Sequence, residues 1–137
     1  MKTLLFFYSY SGKTKELANQ LATETNADLY EIKDVRKPST LAAYTKGALR
    51  AMRQKTLPTQ PIAVNLDAYD KILIMAPIWA GFPAPSINSV FDILPIGKEV
   101  SFFAVSASGK SKGKDAVLMA LAQKGCTNIS YTDMKAP

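Results

Sequence analysis

Apolar residues fall in short continuous runs along this chain, and longer stretches of helical period separate them. Leu4-Leu5-Phe6-Phe7-Tyr8 is unbroken and of strand length, which predicts a strand over Thr3–Tyr8 buried on both faces. The segment behind it predicts a helix from about Thr14 to Thr25. Leu29, Tyr30, Glu31 and Ile32 alternate, so a second strand is expected over Asp28–Lys33. Leu41, Tyr44, Ala48, Leu49 and Met52 share one helical face, which predicts a helix from about Ser39 to Arg53 between Pro38 and Pro58. A proline-containing connection runs from Thr56 to Tyr69. Strand three follows at Lys71–Ala76, then a loop at Pro77–Ala84 and a helix at Pro85–Leu94 with proline in its first turn. Strand four is expected at Val100–Val105, a loop at Ser106–Lys112, a helix at Gly113–Lys124 and strand five at Asn128–Asp133.

Strands alternating with helices imply an α/β domain, a parallel sheet with helices on both faces. The sequence shows no internal repeat, low-complexity tract or linker, so residues 1–137 read as a single domain. In such sheets ligands bind beyond the carboxyl ends of the strands. Three loops converge there: Ser9–Thr14, Pro77–Ala84 and Ser106–Lys112.

Composition narrows the chemistry. There is no histidine, which excludes Ser-His-Asp and Cys-His catalysis and removes the commonest metal ligand. The single cysteine, Cys126, cannot form an internal disulfide, fits a reducing cytoplasm and reads as a small core residue. No metal-ligand spacing is visible. No apolar stretch is long enough to span a bilayer, and the N-terminal apolar run is too short for a signal peptide. Chemistry in this chain is therefore expected to rest on a bound cofactor.

The first turn offers a place for one. Ser9-Tyr10-Ser11-Gly12-Lys13-Thr14 joins a strand to a helix. A helix start presents unpaired N–H groups and the positive end of a dipole, which suits phosphate. Ser9, Ser11 and Thr14 add hydroxyls, Gly12 permits close backbone approach and Lys13 adds a charge. Gly12-Lys13-Thr14 ends like a nucleotide-triphosphate P-loop, but that motif needs glycine where Phe7 stands. The alternative is that Ser11 or Thr14 caps the helix, with Glu16 in its first turn. The turn alone leaves phosphate binding and capping both open.

Together the three loops resemble the flavodoxin family. Ser9-Tyr10-Ser11-Gly12-Lys13-Thr14 matches its [Ser/Thr]-x-[Ser/Thr]-Gly-x-Thr turn at each defined position. Pro77-Ile78-Trp79-Ala80-Gly81 is similar to the Pro-x-Trp-x-Gly loop of short bacterial flavodoxin-like proteins, and Asp70-Lys71-Ile72 fits the approach to it. The resemblance implies a doubly wound sheet of five parallel strands in the order 2-1-3-4-5, and flavin mononucleotide (FMN) as cofactor. By the family pattern Ser9, Ser11, Gly12 and Thr14 would bind the phosphate. Trp79 would pack against the isoalloxazine ring, a reading we favour over a core tryptophan. Backbone groups of Pro77, Ile78, Trp79, Ala80 and Gly81, and of Ser106, Ala107, Ser108 and Gly109, would meet the ring's polar edge. Tyr10 either lines the ring or is exposed.

Three features depart from the family. Lys13 stands where asparagine is common, the chain is basic at +6, and it stops shortly after strand five without the family's closing helix. Lys33, Arg36, Lys37, Lys46, Arg50, Arg53 and Lys55 oppose only Asp34, an excess equal to the whole net charge of +6. This reads as a solvated helix face, or as a dock for an acidic redox partner. No nucleic-acid motif accompanies the charge, and neither nucleic acid nor membrane is expected as a partner. Large apolar residues on both faces of strands one and three, with no closing helix, predict a bare strip, and with it either self-association as a homodimer or a fragment that needs its absent helix. The expected function is FMN-dependent electron transfer in the cytoplasm. An NAD(P)H-dependent quinone or flavin reductase, and a non-redox binding module without flavin, are the alternatives.

Overall fold

The computed structural model describes residues 2–35 and 58–137. The helix expected over Ser39–Arg53, and Arg36, Lys37, Lys46, Arg50, Arg53 and Lys55, lie outside the described residues. Strand β1 (Thr3–Tyr8) leads into helix α1 (Lys13–Thr25) and strand β2 (Asp28–Ile32). After the connection come β3 (Lys71–Trp79), β4 (Phe82–Pro83), a 3-10 turn at Pro85–Ile87, helix α2 (Asn88–Ile93), β5 (Glu99–Ser106), helix α3 (Lys114–Gln123) and β6 (Thr127–Lys135).

The sheet runs β2-β1-β3-β5-β6, all parallel, with β4 pairing antiparallel to the end of β3. This is the expected order 2-1-3-4-5, because the fourth and fifth predicted strands are β5 and β6. Register follows the runs: Leu5 stands between Leu29 and Leu73, and Phe6 between Tyr30 and Ile74. The unbroken apolar pattern of β1 and β3 has its reason here, since both strands are interior to the sheet and covered on both faces.

One face carries the larger core, in which Phe6, Ile74 and Phe102 pack with Val90 and Phe91 of α2 and Val117 and Leu121 of α3. Cys126 joins it, and burial pushes its thiol above the ordinary value, as befits a packing residue. On the other face Leu5, Phe7, Leu73 and Met75 meet Ala18, Leu17 and Leu21 of α1. Ala18 is fully buried, and its small side chain lets the helix lie close to the sheet. Each large side chain buried this way contributes about 1.5–3 kcal/mol.

The bare strip expected over strands one and three is not found. Leu5, Phe7, Leu73 and Met75 are at most 3 % exposed. Less covered are Phe103 and Met134 on β5 and β6, half-buried beside the polar Ser101, Ser130 and Thr132. The outer strands present a mixed apolar and polar surface, and with β1 and β3 covered the premise offered for self-association is lost. Among the described residues no helix is long and apolar enough to cross a membrane.

Candidate functional site

The chain turns into α1 at Gly12, whose φ of +99° is a conformation that favours glycine. No heavy atom lies within 4 Å of where a Cβ would sit, so the mouth of the turn is open. The cap differs from the expectation. Neither Ser11 nor Thr14 caps the helix; the Ser9 hydroxyl accepts from the N–H of Gly12 at 3.1 Å and of Lys15 at 3.2 Å. The reversal at Gly12 folds Ser9 back over the helix start, a geometry that spacing along the chain does not reveal. Thr14 is buried at 3 %, whereas Ser11 and Lys13 are exposed. Lys15 pairs with Glu31 at 3.7 Å, a surface contact of small energetic weight.

The second segment is a hairpin, and this corrects the loop expected over Pro77–Ala84. Strand β3 continues through Pro77, Ile78 and Trp79; Ala80 at φ +53° and Gly81 at φ +88° reverse the chain; β4 then pairs back, Ile78 with Pro83 and Trp79 with Phe82. Two successive positive φ values make the tight turn that matches strand twist. Pro83 is tolerated because β4 lies off the main path of the sheet, and Pro77 sits at the last register position of the β3–β5 ladder, opposite Val105. Trp79 meets Tyr10 edge-on at 5.6 Å and Tyr8 at 6.2 Å between ring centroids. Tyr10 is accordingly half-buried against Trp79 and is not the fully exposed residue of the other reading.

The third segment closes on the second. The Lys112 N–H donates to the Gly81 carbonyl at 2.7 Å, and the Lys112 stem lies beside Gly81. Within the loop Ser106 and Ser108 donate to the Lys110 carbonyl. Ala107 and Ser108 are exposed. Behind it the Ser111 hydroxyl bonds Tyr131 and Asp133, and the Ala136 N–H donates to the Ser106 carbonyl at 2.8 Å, holding the loop to β6. All fifteen sequence-predicted residues, from Ser9–Thr14, Pro77–Gly81 and Ser106–Gly109, therefore lie at the carboxyl ends of β1, β3 and β5.

One group escaped the sequence reading. Asp34 accepts from the Tyr8 hydroxyl and from Ser86, each at 2.5 Å, tying the ends of β1 and β2 to the turn before α2. Burial and the Asp34 carboxylate push the Tyr8 hydroxyl well above the ordinary tyrosine range. The available signal was charge, since Asp34 is the lone acid among the bases from Lys33 to Lys55.

This arrangement has clear counterparts. The family model described as Flavodoxin matches residues 2–136. A flavoprotein in complex with FMN from Lactobacillus acidophilus is 26 % identical, with TM-score 0.73, covering 96 % of this chain and 93 % of that one. A candidate flavoprotein from Bacteroides eggerthii superposes with TM-score 0.77 at 21 % identity, covering 96 % of this chain and 86 % of that one. A flavodoxin from the domain Archaea has TM-score 0.58 at 16 % identity, covering 98 % and 85 %. No curated protein sequence matches the chain significantly. With a strand order, a helix-capping turn and a Trp79 hairpin of this kind, and a family match over nearly its whole length, the chain belongs to the flavodoxin family.

Proposed function

We propose that the chain binds FMN and serves as an electron carrier. The observation that supports this best is the meeting of two unlike surfaces at one end of the sheet. One is the open start of α1 at Gly12, and the other is the Trp79–Tyr10–Tyr8 aromatic cluster. A phosphate needs the first and a flat apolar ring needs the second. The donor set fits the cofactor: the N–H groups of Gly12 and Lys15 already hold an oxygen, that of Ser9, as they would a phosphate oxygen.

When bound, FMN supplies the redox-active ring that accepts and releases electrons. The chain's own residues bind and orient it. The first turn of α1 would hold the phosphate through backbone N–H groups and hydroxyls, with Lys13 adding one positive charge. Trp79 would cover the ring, kept in place by the Phe82 pairing and by the Tyr8 ring that Asp34 anchors. The loop at Ser106–Gly109 would face the ring's polar edge and exclude water there. No side chain has to move a proton, in keeping with a site without histidine. A reducing cytoplasm suits such a carrier.

The test is reconstitution. Purified protein mixed with FMN should develop a protein-bound flavin spectrum and lose fluorescence from Trp79, the sole tryptophan. No quenching at saturating FMN refutes the site. Steady NAD(P)H oxidation with a quinone and no added reductase would instead assign the chain to the reductases.

A further inference from the structure

Residues 33–55 hold the chain's whole charge excess, and elsewhere ten lysines balance ten carboxylates. That balance conceals a segregation. Lys13 and Lys15 in the first turn of α1, Lys110 and Lys112 on the third loop, Lys114 opening α3 and Lys135 closing β6 all stand at the carboxyl end of the sheet. Five carboxylates share that end, Glu16, Glu31, Asp34, Asp115 and Asp133, with Lys33 beside Asp34 and Asp34 itself held by Tyr8 and Ser86. Glu31 is taken up by Lys15 and Asp133 accepts from Ser111. At the opposite end Glu24, Asp28, Asp67, Asp70, Asp92 and Glu99 outnumber Lys2, Lys71, Lys98 and Lys124. Helices α1 and α3 both start at the lysine-rich end, and each dipole adds roughly half a positive charge there.

Two of these lysines border the second and third loops. The Lys112 stem lies against Gly81 in the Trp79 hairpin, and Lys135 lies against Gly109. Lys13, Lys110, Lys112, Lys114 and Lys135 are all exposed. We infer that this rim is the docking surface for an acidic redox protein, whose carboxylates would sit over the Trp79 hairpin opposite Lys110, Lys112, Lys114 and Lys135. The inference rests on the FMN reading, because a redox partner must approach the ring. It moves the dock away from the basic segment at 33–55, where sequence alone pointed. Among the described residues the charges of the rim are lysines, hydrated point charges suited to transient pairing with carboxylates. With the rim beside the site proposed for a redox ring, an acidic redox protein is the favoured occupant.

The experiment is titration of the isotope-labelled protein with poly-L-glutamate, followed by amide chemical shifts. At low salt the shifts should centre on residues 13, 109–114 and 135 and vanish at high salt. Lys110→Glu with Lys112→Glu should weaken binding about tenfold. Lys124→Glu, at the other end of the sheet, should leave it unchanged. Shifts confined to 33–57, equal loss in both variants, or tighter binding to duplex DNA or phosphatidylserine vesicles at the same salt would overturn the proposal. Oxidation of the reduced, FMN-loaded protein should slow with rising salt for ferricyanide and speed up for hexaamminecobalt(III). The opposite pattern would also overturn it. A chain that takes up no FMN defeats the carrier reading, while the glutamate titration still decides the surface.

Discussion

Tyr8→Phe removes one oxygen and keeps the ring that packs on Trp79, so it isolates the link to Asp34. Tyr8 donates to one carboxylate oxygen of Asp34 and Ser86 to the other. A hydrogen bond to a charged group is worth about 1.5–3 kcal/mol. Asp34 is half-buried, so water replaces part of the lost donor, and the cost belongs at the low end, about 1.5 kcal/mol. For a chain of this size that is a fall in Tm of roughly 6 °C. Alkaline pH supplies an independent reading. Burial first, and then the hydrogen bond to Asp34, raise the folded Tyr8 above the ordinary tyrosine value, whereas the unfolded chain releases this proton near pH 10. Its contribution is full below about pH 10 and is lost above it at about 1.4 kcal/mol per pH unit. Tyr69 and Tyr131 are raised as well, so the difference between wild type and variant isolates Tyr8. Urea unfolding should show a gap of about 1.5 kcal/mol at neutral pH that closes roughly one unit above pH 10. A neutral-pH gap under about 0.3 kcal/mol, well below the range for such bonds, or one that persists unchanged above pH 10, would refute the reasoning.

Three further outcomes are expected. Ser9→Ala removes the acceptor for two N–H groups and should cost about 0.5–2 kcal/mol in urea unfolding, with unchanged stability denying its role as the cap. Thr14→Val, near-isosteric at a buried position, should weaken FMN by about 1–3 kcal/mol and leave riboflavin unaffected, since riboflavin lacks the phosphate; equal losses for both ligands would count against a phosphate contact. Lys110→Gln with Lys112→Gln should lower the midpoint potential of the bound flavin, more so at low salt, because reduction adds negative charge near these lysines; a potential indifferent to both changes removes the coupling.

The elements and their order were readable because their signals are local. The run from Leu4 to Tyr8 declares an interior strand by itself, and β1 has the expected bounds of Thr3–Tyr8. The motif Ser9 to Thr14 announced a turn that could take phosphate, because spacing along a few residues is what such a turn requires. Tertiary structure decided everything that depends on distant partners. Pro77-Ile78-Trp79 reads as loop until Phe82 and Pro83 pair back on it. Asp34 reads as a lone surface acid until Tyr8 and Ser86, 26 and 52 residues away, converge on it. The apolar faces of β1 and β3 read as half bare until α1 covers them. Lys13 and the lysines at 110–114 are separate in the sequence, and the fold brings them with Lys135 to one end of the sheet. Period and spacing encode which backbone forms locally. Which surfaces meet depends on loop closure over tens of residues, and no neighbouring side chain carries that information.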